Sequence, residues 1–340
     1  MNSLERVNAR LKGEPVDKIP NLNIFMSMVA KQAGVSYKEY VSDYRKLVEG
    51  NLRCAEKFGI DAVCAISDPM RETSAFGANI HFPDDGVPYS EPPLLADSLD
   101  LSRLSIVDPH DSPRTLDRIK AVESLRKEVG GEYPVIGWVE GVLAETADLR
   151  SVGNLLVDLM DEPPELSELM EIVFRQQLLF AKAQIDAGAD IIGVGNAVAS
   201  LVGPDLYKKY ALDYDKATVA YIHDHGAKVK LHICGNITSL LGLLGEVNAD
   251  IVDIDWMVDF GEAVRAFSGK PTSVSGNMDP VAVMLQGNAD TVREMVMDCI
   301  CKGDNTTIIA AGCEVPAAAP EENLRLMDSL LYIERGRISI

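Results

Sequence analysis

The residues most able to do chemistry in this chain are a histidine and two cysteines. His232 and Cys234 are two positions apart in the apolar segment KVKLHIC, and Cys313 follows a second apolar segment, TTIIAAG. Residues two apart on a β-strand project from the same face, so the imidazole and the thiol would lie side by side. One nitrogen and two sulfurs suit zinc, and three protein ligands leave its fourth position open, as in catalytic sites. Glu314, beside Cys313, is a candidate for the resting ligand there.

Carboxylates and amides follow other apolar segments of the chain. The predicted catalytic residues are Asp68, Glu140 and Asp255, and the predicted cofactor-binding residues are Asn196 and Asn277. Carboxylates grouped in one cavity repel one another, which raises the pKa of at least one and suits it to proton transfer. The alternative interpretation is that these polar residues mark the points where strands become loops and only hydrogen-bond loop amides.

The elements that would position these residues are short apolar segments alternating with helical patterns. Most of the segments are continuous β-branched runs, which are typical of strands buried on both faces. The repeated strand–helix pattern predicts an α/β fold: a single (β/α)8 TIM barrel spanning residues 1–340, with its active site at the carboxyl ends of the strands. The eight predicted strands are 19–25, 61–67, 134–139, 189–195, 228–234, 249–255, 271–276 and 306–312.

Helical patterns fill the segments between the predicted strands. An N-terminal helical extension precedes the first strand, and residues 68–133 are too long for a simple strand–helix connection. We expect this stretch to be an insertion over the carboxyl ends of the strands, with a helix near residues 112–129. The clearest other helical patterns cover 45–59, 164–188, 206–226 and 289–303.

Composition excludes several classes of partner. The formal net charge of −20 argues against binding to nucleic acid or to anionic membrane surfaces. No apolar run approaches about 18 residues, so no transmembrane helix is expected. The first residues lack the apolar stretch of a secretory signal. The six cysteines have no repeated spacing and fit a reducing compartment, so the expected location is the cytoplasm.

Motifs along nearly the whole chain resemble the uroporphyrinogen decarboxylase superfamily. That resemblance implies a TIM barrel, in agreement with the strand count. The motifs are LERVNARLKGEPVDKIP near the start, SDPMRETSAFGANIHF after strand two, DIDWMVD at 253–259, SGNMDPVAVMLQG at 275–287 and AAGCEVPAAAPEENLRLM at 310–327.

Departures from the decarboxylase pattern indicate a branch of the superfamily. Decarboxylases carry an arginine-rich MRQAGRY-type motif that binds substrate carboxylates, whereas residues 25–40 here read FMSMVAKQAGVSYKEY and lack both arginines. Cys313 stands where decarboxylases have the histidine of a GHGI-type sequence. His232 and Cys234 replace their lysine–glycine stretch after strand five. Asp68 matches the acid that decarboxylases place under the pyrrole nitrogens, so its presence does not discriminate.

With these replacements the chain resembles the methylcobamide:thiol methyltransferases, a branch typified by the enzymes that methylate coenzyme M. The resemblance implies zinc held by His232, Cys234 and Cys313, and a corrinoid carried by a separate partner protein. The methyl group would move between that corrinoid and a small molecule, either a thiol or a methoxy compound; a homodimer is one assembly compatible with this. Two alternatives remain open: a metal-free uroporphyrinogen decarboxylase, and a non-catalytic corrinoid- or tetrapyrrole-binding barrel with a structural zinc.

Overall fold

The continuous apolar runs form a curled, parallel sheet of seven strands in the computed structural model, which describes residues 1–333. Numbered along the chain, the strands are β1 (Val63–Cys64), β2 (Ile80–His81), β3 (Tyr89–Ser90), β4 (Val135–Glu140), β5 (Ile191–Gly195), β6 (Lys228–Ile233), β7 (Ile251–Ile254), β8 (Ser273–Met278) and β9 (Ile308–Ala311). The sheet order is β1-β4-β5-β6-β7-β8-β9, and β2 and β3 form a separate antiparallel pair. Helices between successive strands give a TIM-barrel-like arrangement.

The helices agree with the predicted patterns except at one position. The pattern 206–226 predicts one helix, but the structure has two that meet at Ala211, and the first is kinked at Gly203, where φ is 72°. The α-helices are α1 (Ser3–Leu11), α2 (Ser27–Ala33), α3 (Tyr37–Ser42), α4 (Tyr44–Phe58), α5 (Met70–Ala75), α6 (Pro113–Val129), α7 (Val142–Arg150), α8 (Val152–Asp161), α9 (Pro164–Asp186), α10 (Ala199–Tyr210), α11 (Leu212–Asp224), α12 (Leu241–Leu244), α13 (Phe260–Phe267), α14 (Ala289–Lys302) and α15 (Glu321–Leu330). Short 3-10 turns cover Leu101–Arg103 and Thr238–Leu240, and a π-helical turn covers Pro280–Leu285.

The prediction of a regular first strand at 19–25 is wrong. This segment makes one parallel bridge, from Asn21 to Ile309 of β9, and Asn21 O accepts a hydrogen bond of 2.8 Å from Asp61 N, two residues before β1. Side chains replace the rest of the ladder: Asn21 N donates to Asp61 Oδ2 at 2.8 Å, and Ala311 N donates to Asn23 Oδ1 at 2.7 Å. The segment therefore lies between the two edge strands without pairing as a strand.

Alternation along the strands divides the core into two layers. Ile136 and Trp138 of β4, Ile191 of β5 and Ile308 of β9 belong to a cluster on the concave face of the sheet. The intervening residues, such as Val139, belong to the cluster that packs against the helices. Both faces of each strand are thus buried, which explains why the strands are recognised as continuous apolar runs.

Helix α1 and the segment 19–25 are joined to the sheet by a buried ionic cluster. The Asp61 carboxylate is 2.6 Å from Arg6 Nη1 and 2.9 Å from Lys18 Nζ, and it accepts a hydrogen bond of 2.9 Å from Ser3 Oγ. The Asp61 side chain is 2% exposed. Without the Asp61 carboxylate, Arg6 would keep Asp17 and Lys18 would keep Asp328 as anionic partners, but Ser3 Oγ and Asn21 N would lose their shared acceptor.

We therefore expect Asp61→Ala to lower the free energy of unfolding by about 1.5–3 kcal/mol, the usual effect of losing buried hydrogen bonds to a charged group. Urea unfolding followed by circular dichroism measures this. Asp186→Ala is the matched control, because Asp186 pairs with Lys182 on the exposed surface of α9 and its loss should change stability little. Equal effects of the two substitutions would show that the cluster does not anchor α1.

Among the helices of the described part of the chain, none has the length and apolar composition needed to cross a membrane.

Candidate metal centre

The histidine and the two cysteines meet at the carboxyl ends of β6 and β9. His232 Nε2 lies 3.1 Å from Cys234 Sγ and 3.8 Å from Cys313 Sγ, and the two sulfurs are 3.6 Å apart. His232 is buried and both cysteines are partly buried. Residues far apart in the sequence thus form one compact triangle of metal-binding atoms, with the two-residue spacing on β6 placing His232 and Cys234 together.

The distances within the triangle are close to those expected around a zinc ion. Tetrahedral zinc with Zn–S bonds of about 2.3 Å and Zn–N bonds of about 2.0–2.1 Å separates two sulfurs by about 3.8 Å and a sulfur from a nitrogen by about 3.6 Å. The sulfurs here are 3.6 Å apart, and the two nitrogen–sulfur distances of 3.1 and 3.8 Å bracket the ideal value. The residues present therefore fit a tetrahedral ion after small side-chain adjustments.

A buried aspartate orients the histidine. Asp253 of β7 is paired with His232 in the parallel register, and its Oδ2 lies 2.9 Å from His232 Nδ1. Lys230, two residues before His232 on the same face of β6, is 3.0 Å from the same oxygen. A neutral imidazole that donates its Nδ1 proton to Asp253 leaves the Nε2 lone pair free for a metal, an arrangement common around metal-bound histidines.

The protonation of the triangle responds to these neighbours. Burial lowers the pKa of His232, but the hydrogen bonds and charges of Asp253 and Cys313 outweigh burial and raise it to about 9. The hydrogen bond between the two sulfurs lowers the pKa of Cys313 and raises that of Cys234. One thiol therefore ionises readily while the other retains its proton, and binding a metal to all three groups would release protons.

The triangle opens into a cavity of about 180 Å³. Of the predicted site residues, Asp68, Glu140 and Asn196 line this cavity, as does Glu314. The rest of its wall is mainly apolar. The other lining residues are Ile24, Met26, Ile66, Pro69, Val87, Trp138, Gly195 and Ala197.

Two glycines of β5 make room for the side chains of β4 in this wall. A Cβ atom on Gly193 would lie 2.1 Å from the ring of Trp138, and one on Gly195 would lie 2.9 Å from Glu140 Oε2. Both distances are shorter than van der Waals contact, so a larger residue at either position would displace the indole or the carboxyl group. The ADIIGVG sequence thus permits Trp138 and Glu140 to lie over β5.

The carboxyl group of Glu140 has a pKa near neutral pH. Its Oε1 accepts a hydrogen bond of 2.6 Å from Arg71 Nη2, and Arg71 also contacts Glu72 at 3.3 Å. Burial raises the pKa of Glu140, Arg71 partly offsets this, and the charge of Glu72 adds to the rise, so the pKa is about 7. A carboxyl group with that pKa can both accept and donate a proton at physiological pH.

Asp68 is held in the ionised form in the same cavity. Its carboxylate accepts hydrogen bonds from Arg114, from Ser67 Oγ at 2.7 Å and from Met70 N at 3.1 Å. Burial alone raises the pKa of Asp68, but the charges of Arg114 and Arg71 outweigh burial and lower it. Asp68 is therefore a fixed negative charge, whereas Glu140 exchanges a proton.

Asp255 and Glu314 shape loops around the triangle. Asp255 Oδ2 accepts from Gly235 N and its Oδ1 from Trp256 N, both at 2.7 Å, so this carboxylate holds the turn that follows Cys234. Glu314 Oε1 accepts from Ser27 N at 2.7 Å. Burial raises the pKa of both carboxyl groups. Asp255 is not among the residues that line the cavity, and its two carboxylate oxygens are occupied by these backbone N–H groups.

The two predicted cofactor-binding amides lie in different environments. Asn196 lines the cavity, and its backbone N–H donates to His232 O at 2.9 Å. Asn277 Nδ2 donates to the carbonyl oxygens of Asp255 and Val258 at 3.1 and 2.5 Å. Its amide thus braces the loop after β7 instead of lining the cavity.

The residues that support the site, Lys230, Asp253, Arg71 and Arg114, are not among those predicted from the sequence. The spacing Lys230–His232 and Asp253–Asp255 contained a usable signal, because a lysine inside an apolar strand requires a buried anionic partner. Arg71 and Arg114 gave no comparable signal. Their roles depend on the fold of the segment between β1 and β4, which brings them to Glu140 and Asp68.

Comparison with known proteins identifies the family. The uroporphyrinogen decarboxylase (URO-D) family model matches residues 2–330. The chain belongs to this family. It is 27% identical to a methylcobamide:CoM methyltransferase, MtbA, from Methanosarcina mazei over 95% of each chain. It is 26% identical to a uroporphyrinogen decarboxylase from Carboxydothermus hydrogenoformans over 87% of this chain and 85% of that one.

A solved structure with the same fold supports the TIM-barrel-like architecture of this chain. A methyltransferase from Methanosarcina mazei superposes with a TM-score of 0.88 at 21% identity, over 97% of this chain and 98% of the other. The two chains therefore share one fold over nearly their whole lengths.

Asp253→Asn should weaken zinc binding about 10–100-fold, because it removes the charge that orients and polarises His232. Competition with a chromophoric chelator measures the affinity. Asp250→Asn is the matched control: Asp250 also contacts a histidine, His223 at 2.7 Å, but at the opposite end of β7. Unchanged affinity in Asp253→Asn would contradict the assigned orienting role.

Proposed function

We propose that this protein is a zinc-dependent methyltransferase that moves a methyl group between a corrinoid protein and a small thiol or methoxy compound. The observation that carries the proposal is the triangle of His232, Cys234 and Cys313 at the mouth of a cavity. Similarity to proteins named methylcobamide:CoM methyltransferases supports the same activity.

The three ligands would leave one zinc position for the substrate. When bound, zinc supplies a Lewis acid that stabilises a substrate thiolate or polarises a methoxy oxygen. His232, Cys234 and Cys313 would hold the ion, and Asp253 would keep the imidazole in the required tautomer. The apolar wall, including Trp138, limits the access of water to the reacting atoms.

We assign proton transfer to the carboxyl group of Glu140. A thiol that becomes a thiolate must lose a proton, and a methoxy oxygen that becomes a hydroxyl must gain one. Glu140 lines the cavity and has a pKa of about 7, so it can serve in either direction. Asp68 remains ionised and holds Arg114, so we assign it an electrostatic role.

Uroporphyrinogen decarboxylation is the second candidate, because a relative with that name matches 87% of the chain at 26% identity. The cavity wall argues against it. Among the described residues, the lining contains three carboxylates and neither lysine nor arginine, and the two nearby arginines, Arg71 and Arg114, are bound to Glu140 and Asp68. A substrate with eight carboxylates would meet like charge there. A purely structural zinc is also disfavoured, because closed sites use four protein ligands.

We also propose a cytoplasmic location. All six cysteines are free, and the metal triangle requires both of its thiols to be reduced.

Protein loaded with one zinc per chain should transfer methyl groups from methylcobalamin to a thiol, and Cys313→Ala should lose both zinc and activity. Metal analysis and the absorbance change of methylcobalamin measure these two properties. Cys301→Ala is the control, since Cys301 is exposed on α14 away from the site. Wild-type protein that is active without metal would refute the proposal.

The protein should not convert uroporphyrinogen to coproporphyrinogen. Each lost charged contact costs about 1.5–3 kcal/mol, so absence of the paired arginines from residues 25–40 should weaken binding by several orders of magnitude. Chromatographic separation of the oxidised porphyrins, with an authentic decarboxylase as the positive control, measures turnover. Rates comparable to that control would show that the family's decarboxylase activity has been retained.

Glu140→Gln should keep zinc and lower methyl transfer by about 10²–10⁴. With a thiol acceptor the wild-type rate should rise as the pH passes about 7, because Glu140 accepts a proton only when ionised, and the variant should lack this rise. Asp68→Asn and Asp255→Asn should also keep zinc. Full activity in all three variants would show that these carboxylates have only a structural role.

A further inference from the structure

The indole ring of Trp138 has a fixed direction beside the metal triangle. A Cβ atom on Gly193 would lie 2.1 and 2.4 Å from Cε3 and Cζ3 of its six-membered ring, and one on Gly195 would lie 3.1 Å from Nε1. The indole therefore runs along β5 with its N–H edge toward Gly195, which is paired with His232 in the parallel register. The centroids of the indole and of the His232 imidazole are 6.4 Å apart. The N–H group of Trp138 thus lies at the same end of the sheet as the metal ligands.

This N–H group is a donor without an acceptor. Trp138 is 4% exposed, and its hydrogen bonds of 2.8 and 2.9 Å to Gln184 are made by its backbone. No described residue accepts a hydrogen bond from Nε1, and Nε1 is not one of the unpaired side-chain atoms that the protein encloses completely. Because Trp138 lines the cavity, a ligand there can reach this donor. A buried indole N–H normally has a partner, so we expect the ligand to supply an acceptor.

Glu140 presents a second free polar atom beside this donor. The point that a Cβ atom on Gly195 would occupy is 2.9 Å from Glu140 Oε2 and 3.1 Å from Trp138 Nε1, so the two atoms flank one gap. Glu140 Oε1 accepts a hydrogen bond of 2.6 Å from Arg71, whereas Oε2 makes none with a described residue. A ligand atom in the cavity over Gly195 would meet one fixed donor and one carboxyl oxygen that can carry a proton. This pair suits an oxygen atom, which has two lone pairs.

The rest of the cavity suits an apolar group. Its wall is mainly apolar and includes Ile24, Met26, Ile66 and Val87. Its volume is about 180 Å³, and an apolar cavity of about 150 Å³ is large enough to bind benzene. One aromatic ring therefore fits. Because sulfur is a weak hydrogen-bond acceptor, the N–H group of Trp138 favours the oxygen of a methoxy compound over the sulfur of a thiol.

We propose that Trp138 Nε1 donates a hydrogen bond to the oxygen of a methoxy substrate whose apolar group fills the cavity, and that this contact favours a methoxy compound over a thiol as the substrate. This inference rests on the proposed zinc-dependent function and narrows its substrate class.

The contact places Trp138 beside the bond that breaks. In the transfer the C–O bond breaks and its electron pair stays on the oxygen. The methyl carbon bonds to cobalt(I) of the partner's corrinoid, whose electron pair forms the new bond and whose cobalt becomes cobalt(III). The oxygen, on which negative charge develops beside the indole N–H, takes a proton from Glu140 and leaves as a hydroxyl group.

A matched pair of ligands tests the contact. Methoxybenzene and ethylbenzene have nearly the same shape, but a CH₂ group replaces the ether oxygen in ethylbenzene. Each is titrated into zinc-loaded protein labelled with nitrogen-15, and the indole N–H signals are followed by NMR. The chain has two tryptophans, and Trp256→Phe removes one signal and assigns the other to Trp138. We expect methoxybenzene, but not ethylbenzene, to move the Trp138 indole proton downfield, as a new hydrogen bond does.

Trp138→Phe tests whether the N–H group sets the preference. It keeps an aromatic wall and removes the donor, so the ratio of the methoxybenzene affinity to the ethylbenzene affinity should fall about 2–10-fold. Isothermal titration calorimetry measures both affinities, and their ratio cancels any packing change that the two ligands share. Trp256→Phe is the matched control and should leave the ratio unchanged, because Trp256 is exposed after β7 and does not line the cavity.

The outcomes separate this inference from the proposed function. Zinc-loaded protein that does not bind methoxybenzene, whose Trp138 signal responds alike to both ligands, or whose affinity ratio is unchanged in Trp138→Phe, overturns the substrate contact alone. The titration of the wild-type protein decides the question even if Trp138→Phe fails to fold. Protein that binds no zinc overturns the proposed function, whatever the two ligands show.

Discussion

The site depends on one buried ionic contact, the carboxylate of Asp253 between Lys230 and His232. Lys230 and His232 project from the same face of β6, and the register with β7 places Asp253 opposite them. Burial of Asp253 would be unfavourable without the lysine, and with it the carboxylate remains ionised and its pKa is lowered. The imidazole is thereby held with Nε2 toward the two sulfurs. The ion pair inside the sheet thus orients the triangle at its rim.

Carboxyl groups that are chemically alike have different protonation states in this cavity because their neighbours differ. Asp68 accepts a hydrogen bond from Arg114 and remains ionised, whereas Glu140 shares Arg71 with Glu72 and has a pKa near neutrality. Neither role follows from the position of the residue after a strand. The family includes relatives named as decarboxylases and relatives named as methyltransferases, so the activity depends on the residues of the site and not on the fold alone.

Much of this arrangement was predictable from the sequence, and the exceptions have physical causes. Continuous β-branched runs gave the sheet strands, and the HxC spacing placed His232 beside Cys234, because strand geometry has a fixed period. The segment 19–25 has the apolar pattern of a strand, but side chains of Asn23 and Asp61 replace its ladder hydrogen bonds. Asn277 was expected just after a strand, but it lies within β8, and its amide donates to the loop after β7. The pairing of segment 19–25 and the direction of the Asn277 amide depend on contacts between distant segments, which local sequence patterns do not encode.

The measurement that tests the account most directly is X-ray absorption spectroscopy at the zinc edge of the loaded protein. We predict a four-coordinate ion with two sulfur neighbours at about 2.3 Å and the remaining positions filled by nitrogen or oxygen. Cys234→Ala protein that still binds zinc should show one sulfur. A first shell made only of nitrogen and oxygen, or one with four sulfurs, would contradict a catalytic site built from His232, Cys234 and Cys313.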